Sequence, residues 1–144
     1  MISFITAEET LSMRSELLLD GKIAPDDCRF DEDALEGAFH LGYKVDDRIV
    51  CICSFAPKEL DPFGADGFQL RGMATDPAYR NKGIGNLVVN FGVLYLRGRN
   101  ARYIWCNARR EAYTFYAGLG FETISAEFEI EGVGPHKKMY LKIS

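Results

Sequence analysis

Six consecutive residues, Arg80-Asn81-Lys82-Gly83-Ile84-Gly85, bring two cations and two glycines to the point where a short β-like run gives way to helical spacing. A helix that begins here leaves its first N–H groups without intrahelical partners, and its dipole places about half a positive charge at that end. An oxyanion can accept several backbone hydrogen bonds at such a point, and glycine lets it approach the main chain. Arg80 and Lys82 add charge-assisted contacts, so the chemistry implied is phosphate binding. The same glycines would also let a helix and a strand pack closely, and the six residues alone leave that alternative open. The P-loop pattern G-x-x-x-x-G-K-[ST] is absent, and Val88 stands where the fingerprint G-x-G-x-x-G needs its third glycine. A Walker ATPase and a Rossmann oxidoreductase are thereby excluded.

A second concentration of chemistry lies at 105–121, Trp105-Cys106-Asn107-Ala108-Arg109-Arg110-Glu111-Ala112-Tyr113-Thr114-Phe115-Tyr116-Ala117-Gly118-Leu119-Gly120-Phe121. A β-run here ends in Asn107 and turns into a helix that carries Tyr116 near its C-terminal end. The four cysteines, Cys28, Cys51, Cys53 and Cys106, contain no C-x-x-C pair and read as reduced core residues. Metal binding by the two histidines with Cys51 has no ligand spacing behind it.

These groups need a scaffold. Residues 2–5 read as a strand, followed by a helix that opens on Thr6 and Glu9 at capping-box spacing, turns Leu11, Met13, Leu17 and Leu18 inward and ends near Asp20-Gly21. Residues 22–36 carry loop and cap signals. The runs 38–45 and 48–56, with the polar turn Asp46-Asp47 between them, predict an antiparallel hairpin. After a loop over 57–66, residues 68–75 predict the central strand, in which Gly72 marks a bulge or a close backbone approach. From Gly83 the residues Ile84, Leu87, Val88, Phe91, Leu94 and Tyr95 recur along one helical face, and Tyr103–Cys106 is a fresh strand. That strand–helix–strand unit should cross over right-handedly into parallel pairing. A helix over 109–118 and strands over 121–130 and 137–143 complete the chain.

The pattern from Arg80 to Gly85, together with the run ending Phe115-Tyr116-Ala117-Gly118-Leu119-Gly120-Phe121, resembles the GNAT superfamily of acyl-CoA-dependent N-acetyltransferases. The family's loop reads [RQ]-x-x-G-x-[GA], and its next helix often ends F-Y-x-x-x-G-F. The resemblance implies an α/β fold of the α+β mixed-sheet kind, with about seven strands flanked by helices and two splayed parallel strands opening a V-shaped cleft for CoA. It implies acetyl-CoA as co-substrate, its pyrophosphate on Arg80, Asn81, Lys82, Gly83, Ile84 and Gly85. The backbone of Met73 and Thr75 and the side chain of Asn107 would meet the pantetheine arm, and a backbone N–H near Met73 would polarise the thioester carbonyl. Tyr116 matches the tyrosine that protonates the departing thiolate in direct attack by an amine. His40 and His136 fall in regions that commonly wall the acceptor site, and imidazole titrates near neutral pH. Glu36, Asp66, Glu127 and Glu129 are further proton acceptors conceivable for the base. The rival reading is a non-catalytic module that binds or senses acyl-CoA.

Composition sets the outer bounds. The 144 residues are one domain's worth, residues 1–144, and 47% hydrophobic with 26% charged residues is ordinary globular usage. A net charge of −4 and a pI near 5.2 argue against nonspecific binding to nucleic acid or to an anionic membrane. The start of the chain lacks the basic and apolar run of a signal peptide, and no segment approaches the roughly 18 apolar residues of a membrane span. The expected location is the cytoplasm and the expected partners are acetyl-CoA and an amine acceptor. Dimerisation, common in the family, is compatible with the aromatic-rich strands near the C-terminus.

Overall fold

The computed structural model describes residues 1–144, from β1 (Ile2–Ile5) to β8 (Gly134–Lys142). Between them lie α1 (Leu11–Met13), β2 (Phe39–Val45), β3 (Arg48–Pro57), β4 (Gly67–Thr75), α2 (Ile84–Arg97), β5 (Tyr103–Arg109), α3 (Tyr113–Gly118), β6 (Glu122–Thr123) and β7 (Phe128–Ile130). The strands hydrogen-bond in the order β1-β2-β3-β4-β5-β8-β6, with β7 on β8, giving a mixed sheet of eight strands where about seven were expected. No helix is long and apolar enough to cross a membrane.

By packing the chain divides into two compact units, residues 1–57 with 70–92 and residues 58–69 with 93–144. In the first, Thr6 and Glu9 form the expected capping box: the Thr6 N–H donates to Glu9 Oε1 (2.9 Å) and the Glu9 N–H to Thr6 Oγ1 (3.2 Å). The helix that follows is irregular, opening as a 3₁₀ turn and passing from α1 into a π turn over Arg14–Leu18. Met13, Leu17 and Leu18 pack on the Ile5–Ile52–Ala74 core as predicted. Arg14, on the same helix, is buried at 1% exposure, and nothing in the apolar spacing announced it. The β2–β3 hairpin turns at Asp46 and Asp47, both with positive φ, a conformation short polar side chains tolerate.

The inward face of α2 differs from the expected one. Leu87, Phe91 and Leu94 are exposed, and the buried positions are Ile84, Val88, Val89, Gly92, Val93 and Leu96. A Cβ on Gly92 would lie 2.4 Å from the Phe55 ring, so that ring takes the smallest side of the helix and turns the larger residues away.

In the second unit, Gly67, Phe68 and Gln69 at the start of β4 pair in parallel with Tyr103, Ile104 and Trp105 of β5. β8 runs antiparallel along the whole of β5, setting Trp105 against Tyr140, Asn107 against Lys138 and Arg109 against His136. β5 therefore runs two residues past Asn107, which lies within the strand rather than at its terminus. The loop over 58–66 is tied down by two β5 side chains. Tyr103 Oη accepts from the Leu60 N–H (2.8 Å) and donates to the Gly64 carbonyl (2.6 Å), while Trp105 Nε1 donates to the Lys58 carbonyl (3.0 Å).

Candidate functional site

The phosphate-cradle residues are built from the turn that leaves β4. Asp76 Oδ1 accepts from the Ala78 N–H (2.9 Å), the Asp76 N–H donates to the Val50 carbonyl (2.8 Å), and Arg48 pairs with the Asp76 carboxylate. These bonds hold the short 3₁₀ turn Pro77–Tyr79 that delivers Arg80 to the helix start. Arg80 folds back so that its Nε donates to the Thr75 carbonyl at 3.0 Å, and Lys82 Nζ sits 5.9 Å from the Tyr79 ring centre. The Leu87 N–H donates to the Gly83 carbonyl (3.1 Å), which makes Gly83 the cap and leaves the N–H groups of Ile84, Gly85 and Asn86 without intrahelical acceptors.

Gly83 has φ +78° and no heavy atom within 4 Å of the place a Cβ would occupy. Close packing therefore does not explain this glycine; the left-handed backbone and the open approach do. Asn81 shares the positive φ, at 62°. Further back on β4, Gly72 at φ +64° makes the irregularity expected of it, and Met73 and Thr75 follow, both half-buried. The Thr75 hydroxyl donates to Cys51 Sγ. Burial pushes the Cys51 thiol up to about 11 and the Cys106 thiol higher still, so neither is a thiolate near neutral pH.

His40 and His136 are both buried, and their nitrogens are used differently. The Asp33 carbonyl can only accept, so His40 Nε2 carries a proton toward it (3.4 Å), and in the neutral ring Nδ1 accepts from the Ser54 hydroxyl (2.7 Å), whose oxygen accepts from Arg14 Nη2 (2.9 Å). Both ring nitrogens of His40 are thus taken up inside the protein. Burial lowers its pKa, against the opposing pull of Asp33. In the second unit His136 Nδ1 donates to the Gly134 carbonyl at 2.7 Å, leaving Nε2 as the lone-pair nitrogen, and the ring stacks on Phe128.

Asn107 Oδ1 accepts from Lys138 Nζ at 2.9 Å, and that ammonium also lies over the Trp105 ring (5.4 Å) and the Phe128 ring (4.8 Å). Lys138 was missed by sequence reasoning; only the β5–β8 register places it opposite Asn107. Tyr116 is 5% exposed and wedged edge-on between Phe115 and Phe121. Among the carboxylates considered for proton transfer, Glu127 accepts from Arg110 Nε (3.2 Å) and Tyr113 Oη (3.0 Å), and the Arg110 bonds followed by that of Tyr113 hold its pKa down. It is a firm anion and a poor proton acceptor. No three His, Cys, Asp or Glu side chains converge as a metal site would need.

The mixed sheet of parallel and antiparallel strands flanked by helices matches the fold of GNAT acyltransferase structures. A family model described as an acetyltransferase (GNAT) domain matches residues 36–123. A Bacillus subtilis protein described as the uncharacterized N-acetyltransferase YitI is 33% identical over 140 residues, covering 96% of this chain and 93% of its own. Among solved structures, an aminoglycoside 6'-N-acetyltransferase complexed with coenzyme A superposes with a TM-score of 0.73 at 16% identity, over 100% of this chain and 97% of its own. Escherichia coli ElaA superposes with a TM-score of 0.78 at 15% identity, over 97% and 99%. The chain belongs to the GNAT acetyltransferase family, and its activity is that class of N-acyl transfer.

Proposed function

We propose that the protein transfers the acetyl group of acetyl-CoA to a primary amine by direct attack within a ternary complex. The observation that carries this reading is the start of α2: a positive-φ glycine with open space beside it, three N–H groups without intrahelical acceptors, and Arg80 and Lys82 in the preceding turn. That arrangement suits the pyrophosphate of CoA. The solved relative complexed with coenzyme A supports the same donor.

In this reading the amine lone pair attacks the thioester carbonyl carbon while the Met73 N–H receives the oxyanion that forms. The C–S bond then breaks, Tyr116 gives its phenolic proton to the departing sulfur, and the new N–C bond becomes an amide. Asn107, its carbonyl engaged by Lys138, offers its NH₂ to the pantetheine arm. His136 Nε2, with its lone pair set by the Nδ1 bond, is the acceptor-side group that takes the amine proton. His40, expected beside His136 on the acceptor side, has both nitrogens engaged within the protein and is given no role in the transfer. Replacing Tyr116 with Phe tests the acid role: the turnover number falls while CoA affinity, by calorimetry, stays within about twofold. Unchanged turnover would remove Tyr116 from the mechanism.

A further inference from the structure

Arg14 presents an unusual hydrogen-bond balance for a buried side chain. Its Nη1 donates to the Cys28 carbonyl (3.1 Å) and to Asp33 Oδ2 (2.7 Å), and its Nη2 to Asp33 Oδ1 (3.0 Å) and Ser54 Oγ (2.9 Å). All four terminal N–H bonds are therefore satisfied, by a bidentate carboxylate, a carbonyl and a hydroxyl that continues to His40. The fifth, on Nε, is buried and has no partner. That nitrogen lies 3.4 Å from where a Cβ on Gly72 would be.

Beside it, the Phe30 ring is clasped between two guanidinium groups, Arg14 at 3.8 Å on one side and Arg71 at 3.9 Å. The edge of the same ring is 3.2 Å from the Gly72 Cβ position. Arg71 is held in turn by Glu32 (2.8 Å), so the turn at 30–33 meets β4 at the Arg71–Glu32 pair, the Arg71–Phe30 stack and the Phe30 edge beside Gly72, while the Phe30 N–H donates to Asp33 Oδ2 (3.0 Å) within the turn. A surface ion pair would contribute little here, but a buried bidentate pair with a stacked ring fixes geometry. A buried donor left without a partner persists where its surroundings over-determine its position.

We infer that Arg14, with Asp33 and Phe30, is a positioning residue for catalysis: the cluster packs beside the positive-φ backbone of Gly72 and so sets the direction of the next residue's N–H, that of Met73. This rests on the reading that the Met73 N–H polarises the thioester carbonyl. Arg14, Phe30 and Asp33 lie outside the stretch the family model matches, residues 36–123.

The test compares wild type with two variants: Phe30→Leu, which keeps the ion pair, and Arg14→Met with Asp33→Asn, which removes both charges so that neither is left buried alone. Each is titrated with CoA by calorimetry, assayed for turnover, and examined by NMR with acetyl-CoA labelled with carbon-13 at the thioester carbonyl. In wild type the bound carbonyl resonance moves downfield of the free one. In the variants that displacement shrinks and the turnover number falls about 10- to 100-fold, while CoA affinity stays within about threefold. Variants that bind CoA and keep both the wild-type displacement and turnover would overturn the inference. A wild-type complex with no displacement would instead overturn the Met73 reading and the inference with it. If the double variant does not fold, Phe30→Leu decides alone.

Discussion

Substituting Gly83 separates two reasons for a glycine at the start of α2. With φ at +78°, an L-residue there bears left-handed backbone strain of about 1–2 kcal/mol, a factor of about 5–30 in the folding equilibrium. No atom lies within 4 Å of the new Cβ, so steric clash adds nothing in the unliganded protein. Gly83→Ala should therefore lower stability by the strain alone and remain folded. If a pyrophosphate approaches that open side, the methyl group displaces it, and CoA affinity falls at least about tenfold, near 1.4 kcal/mol. Gly83→Asn divides the two effects, because asparagine tolerates positive φ yet fills the same space. It should recover much of the stability and none of the affinity. Thermal unfolding and calorimetric titration with CoA measure both quantities. Wild-type affinity in folded Gly83→Ala would refute the argument that a phosphate sits against this residue.

Three other outcomes follow from the packing and charge. Gly92→Ala places a Cβ 2.4 Å from the Phe55 ring, so urea unfolding should show a loss of about 1–3 kcal/mol, and Phe55→Leu should relieve part of it. Tyr103→Phe deprives the Leu60 N–H and the Gly64 carbonyl of their shared hydroxyl, costing about 1–3 kcal/mol and exposing the 58–66 loop to limited proteolysis. Stability should also fall with acid in two stages. Burial depresses the His40 pKa below its ordinary 6.5, so that contribution is complete above pH 6.5 and is lost as pH falls through the folded value. Asp33 loses its contribution only below its ordinary 3.8: burial raises its pKa, but Arg14 and the Phe30 N–H outweigh it. Melting temperature against pH should lose the first stage in His40→Gln and keep the second; an unchanged first stage would assign it to another group.

Much of this was legible in local sequence because local chemistry decides it. The Thr6–Glu9 capping box, the Asp46-Asp47 turn and the Gly83 helix start each depend on residues within a few positions of one another, and each formed where expected. The inward face of α2 was misread because hydrophobicity favours Leu87, Phe91 and Leu94, whereas Phe55, far away in sequence, needs the absent side chain of Gly92. Arg14 was invisible for a similar reason. Its partner Asp33 is one of several acidic residues in 26–33, and only tertiary packing selects it. Lys138 reaches Asn107 through a cross-strand register between segments 31 residues apart, which no local spacing encodes.

The central claim is acetyl transfer from acetyl-CoA to an amine, and the most direct measurement is amine-dependent release of free thiol by the wild-type protein. Acetyl-CoA would be offered with a polyamine, an aminoglycoside and a lysine-containing peptide, and the products weighed by mass spectrometry. The account predicts thiol release above the hydrolysis background with at least one of them, matched mole for mole by an N-acetylated product and reduced in Tyr116→Phe. Tight binding of acetyl-CoA with no thiol release from any amine would contradict it and favour a module that only binds the acyl carrier.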